Sequence, residues 1–142
     1  MSANITKIRE RFARYLDAFE SGDADAAAAF YDPPCMFISD SICRVLTTHA
    51  DIAGLLGNMR RELARKDYRS SPILSEEIDV LSPGLALLSV VVSRLAADGS
   101  ELERLTARYT LRLVDGAWRC ACVVVYPAGE PTTQSEPPGD QP

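Results

Sequence analysis

RYLDAFESGDADAAAAFYDPPCMFISD, residues 14–40, carries a helix stop, a new helix start and a helix end in close succession, and the rest of the chain can be read outward from it. Towards the N-terminus, Ile5, Ile8, Phe12, Leu16 and Phe19 recur at steps of three and four. They share one face of a helix whose other face carries Lys7, Arg9, Glu10, Arg11 and Glu20. Tyr15 lies beside that apolar stripe. Gly22 is a natural left-handed stop, and Asp23 caps an alanine-rich second helix. Pro33-Pro34 is expected to end that helix, because neither proline donates to the ladder. Towards the C-terminus, Cys35 to Ser39 and Ile42 to Leu46 read as two short strands around Asp40-Ser41. Thr48-His49-Ala50-Asp51 then caps a third helix, with Ile52, Leu55, Leu56, Met59 and Leu63 at helical spacing. Its Arg60, Arg61, Arg65 and Lys66 sit where the helix dipole favours cations and are expected to form a solvated face.

From Tyr68 the period changes to two. Strands are predicted near Tyr68 to Leu81, Leu85 to Ala96, Glu101 to Val114 and Ala117 to Tyr126, separated by Pro83-Gly84, Asp98-Gly99 and Asp115-Gly116. Aspartate-glycine between alternating runs is a strong hairpin signal. Two-residue loops at the last two turns would align Arg94 with Glu103, Leu88 with Tyr109, Tyr109 with Cys122, Leu111 with Cys120 and Leu113 with Trp118. That face is almost wholly apolar. The opposite face, with Ser89, Val91, Arg108, Thr110, Arg112, Val123 and Val125, is too polar for a core and too rich in valine and threonine for simple solvent.

With 142 residues, 46% hydrophobic and 25% charged, the chain suffices for one domain over residues 1–126. Residues 127–142 hold five of the nine prolines and almost no bulky apolar side chain, so this stretch is expected to be a disordered tail. A net charge of −5 argues against a nucleic-acid partner. No apolar run reaches bilayer length and the N-terminus enters a charged amphipathic helix, so no membrane partner and a cytoplasmic location are expected. Cys35, Cys43, Cys120 and Cys122, with the lone His49, fit no common zinc spacing. They are expected as reduced, buried thiols, with no metal and no cofactor.

The succession of helix, short helix, strand pair, third helix and long-stranded meander resembles the cone-shaped α+β fold of the nuclear transport factor 2-like superfamily, three N-terminal helices packed on a curved, mostly antiparallel sheet. Arg14-Tyr15-Leu16, Ala18-Phe19, Gly22-Asp23, Asp25 and Phe30-Tyr31 resemble the opening of ketosteroid isomerases and SnoaL-like polyketide cyclases. The resemblance covers Ile5 to Tyr126 and implies a scaffold more than an activity, since one fold hosts many functions. Ketosteroid isomerases use a first-helix tyrosine, a protonated aspartic acid on a late strand, and a carboxylate base after the first strand. Tyr15 matches the tyrosine. Ser39 stands at the place of the base with Asp40 one residue along, and no acid lies around Ala107 to Tyr109.

Two functional readings of the cone follow, with a third outside it. One is a dimeric domain that binds a small apolar or aromatic molecule with little or no catalysis. Its ligand-binding residues would be Phe19, Phe37, Met59, Tyr109, Trp118 and Cys122, and its dimer contact the outer sheet face. The second is a SnoaL-like or isomerase-like enzyme acting on a carbonyl compound, with Tyr15 as oxyanion donor and Asp40 as general base. The third is a protein-interaction module that presents the sheet face or the tail to a partner.

Overall fold

The computed structural model of the chain describes residues 2–128. In chain order its elements are α1 (Ser2–Ser21), α2 (Ala24–Ala28), β1 (Tyr31–Ile38), β2 (Cys43–Leu46), α3 (His49–Ala64), β3 (Tyr68–Ser70), β4 (Ile73–Ser82), β5 (Leu85–Ala96), β6 (Glu101–Val114) and β7 (Ala117–Pro127). The α+β cone expected from the sequence is what forms. The strands run β2-β1-β7-β6-β5-β3 with β4 also on β5, and only the β1–β7 pair is parallel. The part of the expected tail from residue 129 onward lies outside the described residues, while β7 continues to Pro127 and the Ala128 N–H donates to the Arg104 carbonyl.

Both helix junctions follow from their caps. Gly22 takes φ +85°, a left-handed turn that frees the chain to re-enter a helix, and the Asp23 side chain accepts from the Ala26 N–H at 3.1 Å. Thr48 does the same for α3, accepting from the Asp51 N–H at 3.0 Å. The second helix, however, stops well short of the prolines. Phe30 and Tyr31 are aromatic strand formers, and β1 starts at Tyr31 and runs through Pro33-Pro34. That is possible because β2 pairs with β1 only from Cys35 onward and the register with β7 shifts between Tyr31 and Met36, so neither proline needs an N–H. The strand expected from Tyr68 is also interrupted, at Ser71-Pro72, where the Ser71 N–H donates to Glu20 Oε2 at 2.8 Å and ties the break to α1.

Arg60 departs from the expected solvated face. Its Nη2 donates to the Glu20 carbonyl at 2.9 Å and its Nε lies 3.2 Å from the Phe19 carbonyl, which satisfies the orphan end of α1 with a cation. The guanidinium also lies 4.8 Å from the centroid of Tyr68. Among the cysteines, Cys35 and Cys120 are buried, but Cys43 is exposed on the edge strand β2.

Most of the expected register is found: Arg94 opposes Glu103, Leu88 opposes Tyr109, Leu111 opposes Cys120 and Leu113 opposes Trp118. The alignment of Tyr109 with Cys122 is not. Leu111 pairs with Cys120 but Thr110 pairs with Cys122, leaving Ala121 as the extra residue of a bulge. Side chains alternate with period two, so one added residue turns everything after it over. Val123 and Val125 therefore face the helices and Cys122 faces out, the reverse of the expectation.

Candidate functional site

The bulge lies between two differently filled parts of the cone. Near the Asp115-Gly116 hairpin, Ile8, Phe12, Leu46, Leu111, Trp118 and Cys120 are at most 2% exposed. Towards the other end the sheet presents Val92 from β5, Ala107 from β6 and Val123 and Val125 from β7. These face Leu16 and Phe19 of α1 and Leu55 and Met59 of α3 across a cavity of about 240 Å³. Small residues on the sheet and long, flexible ones on the helices leave the space between them open.

Of the expected site residues, the cavity wall brings together Tyr15, Phe19, Phe37, Met59 and Tyr109. Trp118 is not on it, because it begins β7 at the closed end and packs in the core, 2% exposed. Cys122 is not on it either, because the bulge turns it outward. Asp40 is exposed at the tip of the β1–β2 turn and off the wall. Ser39 organises that turn: its hydroxyl accepts from the Ile42 N–H at 3.2 Å, and its N–H donates to the Ile42 carbonyl at 2.7 Å. Ser39 is thus at the cavity rim and its neighbour points away.

At the inner end of the cavity stand Tyr15, Tyr31 and Tyr109. The Tyr31 hydroxyl donates to the Tyr15 oxygen at 2.9 Å, and the Tyr109 ring meets that of Tyr15 edge-on, centroids 6.3 Å apart. Tyr15 is held by a stacked contact with Phe30, ring centroids 4.8 Å apart, and an edge contact with Tyr31 at 5.5 Å. Burial pushes the Tyr15 phenol up to about 12, partly offset by the Tyr31 hydrogen bond and the Arg94 charge; burial also raises Tyr31 and Tyr109 well above the ordinary phenol value. All three are neutral donors at physiological pH. A phenol that accepts a hydrogen bond becomes a better donor, so Tyr15 is the group suited to a ligand carbonyl oxygen.

Two charged groups join the wall. Arg94 on β5 donates from Nη1 to Glu103 Oε2 on β6 at 2.8 Å, the paired positions expected from the Asp98-Gly99 hairpin. Among the described residues, no group of three His, Cys, Asp or Glu side chains is placed to hold a metal ion. Tyr31 is absent from the expected site because the sequence pattern starts its strand only at Cys35. Extending the alternation of Phe37 and Cys35 back across the prolines puts Tyr31 on the same face. Val123 and Val125 carry no such signal, since nothing in the local composition marks Ala121 as a bulge.

Among the described residues no helix is long and apolar enough to cross a membrane. No curated protein matches the chain. Solved structures with the same fold include an NTF2-like protein with a cystatin-like fold from Novosphingobium aromaticivorans, 22% identical over 87% of this chain and 81% of that one, TM-score 0.71. Aln2 from a Streptomyces species is 19% identical over 89% of this chain and 92% of its own, TM-score 0.72. A Catenulispora acidiphila protein in complex with S-DNPA is 16% identical over 89% and 95%, TM-score 0.70. These identities speak for the fold alone. The family of NTF2-like proteins designated DUF6841 matches residues 6–128, and the chain belongs to it.

Proposed function

We propose that this protein binds a small apolar or aromatic molecule in the open end of its cone, as a cytoplasmic homodimer, with little or no catalysis of its own. The observation that carries the reading is the cavity of about 240 Å³ with an apolar wall and the tyrosine cluster at its inner end. A dry apolar cavity of about 150 Å³ already takes benzene, so the space suits a single substituted ring. A few convergent polar groups in an apolar lining are the usual composition of a ligand site. The Catenulispora acidiphila complex with S-DNPA supports a ligand role for the fold. An open cavity also favours this reading over an interaction module with a filled core.

The enzyme reading keeps its oxyanion donor in Tyr15 but loses its base, because Asp40 is exposed off the wall and a base must reach its proton directly or through one water. For the dimer, the outer sheet face carries its own complement. Glu77 and Asp79 on β4 stand on one side, and Arg104, Arg108 and Arg112 on β6 on the other, with the exposed Leu85 and Leu87 on β5 between them. A two-fold axis on that face sets acids against arginines twice.

Calorimetric titration with acetophenone, a neutral aromatic ketone, tests the ligand site. Wild type should bind it saturably, and Ala107→Phe, which fills the cavity, should not. Binding that survives Ala107→Phe would place the compound elsewhere and refute the reading. Light scattering tests the assembly: a monomer at micromolar concentration, or a dimer indifferent to Arg108→Glu, would remove the interface named here.

A further inference from the structure

Arg94 gives the polar part of the cavity a cationic character that a purely apolar ligand would not use. Glu103 accepts from its Nη1, and the guanidinium carbon lies 5.8 Å from the centroid of Phe19. Its Nε is buried and has no hydrogen-bond partner among the described residues. A guanidinium keeps its proton in proteins and offers five N–H donors, and a buried donor without an acceptor carries the full desolvation penalty. The Arg94 side chain is 16% exposed and that of Glu103 40%, so the carboxylate sits on the more solvent-exposed side of the pair.

A second unused donor belongs to the same cavity. Tyr15 accepts from Tyr31, and no acceptor among the described residues engages its own O–H. Arg94 is near enough to Tyr15 and Tyr109 for its charge to ease the upward push of burial on both phenols. The cavity therefore combines a cationic donor, a polarised neutral donor and an apolar wall, and holds one carboxylate already committed to an ion pair.

We propose that Arg94 reads an anionic oxygen on the ligand. The occupant is a small apolar acid, a ring bearing a carboxylate, with its oxygens on the Arg94 guanidinium and the Tyr15 O–H and its ring against Leu16, Leu55, Met59 and Val125. This rests on the small-molecule reading above and narrows it. Glu103 neutralises Arg94 in the empty cavity and holds the guanidinium in place; its own charge weakens an incoming anion, so selectivity is a balance between the two.

Benzoate and acetophenone differ in little but the charge of one substituent, and a calorimetric comparison of the two separates the claims. Wild type should bind benzoate about tenfold or more tightly than acetophenone, as a charge-assisted hydrogen bond implies. Arg94→Met should abolish that preference while acetophenone still binds, and Glu103→Gln should tighten benzoate further. Should the methionine variant fail to fold, Arg94→Gln keeps a polar side chain without the charge and should lose the preference equally. Acetophenone binding with benzoate no tighter, or a benzoate preference that survives loss of the Arg94 charge, overturns the inference alone. If wild type binds neither compound, the small-molecule reading falls with it.

Discussion

At the hairpin end of the cone, Phe12, Phe30, Leu111 and Trp118 are all at most 2% exposed, and the Phe12 and Phe30 rings pack 6.0 Å apart. At the opposite end, the same helices and the same three strands face each other across Ala107, Val123 and Val125 and leave a cavity. Helix α1 contributes to both: Ile8 and Phe12 are core, whereas Tyr15, Leu16 and Phe19 are wall. The difference is made by side-chain size and by one residue. Ala121 interrupts the alternation of β7, so that Cys120 faces the packed end while Val123 and Val125 face the cavity. A fold built to close at one end remains open at the other when small residues are placed there and a bulge sets which face they join.

Four perturbations probe this contrast, beginning with the largest effect. Phe12→Ala at the closed end should cost about 3–5 kcal/mol, because the packed surroundings cannot collapse into the space. Met59→Ala at the open end should cost under about 2 kcal/mol, because the methionine already borders a void. Comparable losses at both sites would mean that the ends do not differ in packing.

The third is alkaline pH. Tyr15 ionises near its ordinary 10 when unfolded and at about 12 when folded. Its contribution is fully present below pH 10 and is lost as pH rises towards 12, since the unfolded chain releases a proton that the folded chain holds. A loss of about 2–3 kcal/mol for this group follows, with Tyr31 and Tyr109 acting in the same direction. Tyrosinate absorbance measured alongside urea stability should show these three phenols titrating only with unfolding. Ionisation near pH 10 in a chain that is still folded would contradict their burial. Smallest is Tyr31→Phe, which removes the hydrogen bond to Tyr15 and should cost about 1 kcal/mol in the same urea assay.

The architecture was legible because its signals are local. Gly22-Asp23, Thr48 and the aspartate-glycine turns act within a few residues of themselves, and the helical stripes need only their own spacing. Where the reading failed, the deciding contact was distant. Phe30-Tyr31 joins a strand because β7 is there to pair with it, Arg60 is recruited by the end of α1, and the bulge at Ala121 exists only against Thr110 and Leu111. The site inherits this division. Tyr15, Phe19, Phe37, Met59 and Tyr109 follow from periodicity and resemblance, whereas Cys122 and Trp118 are displaced by the bulge and by the position of the cavity along the sheet. Arg94 and Glu103 were legible as a facing pair, but not as part of a cavity wall.

The most direct test of the open end as a binding site is a methyl spectrum of the wild-type protein titrated with acetophenone. Saturable shifts are expected at Met59, Val123 and Val125, with Leu46 and Leu111 at the closed end unmoved. Shifts confined to the outer-face residues Val91 and Val124, or none at any concentration, would contradict it.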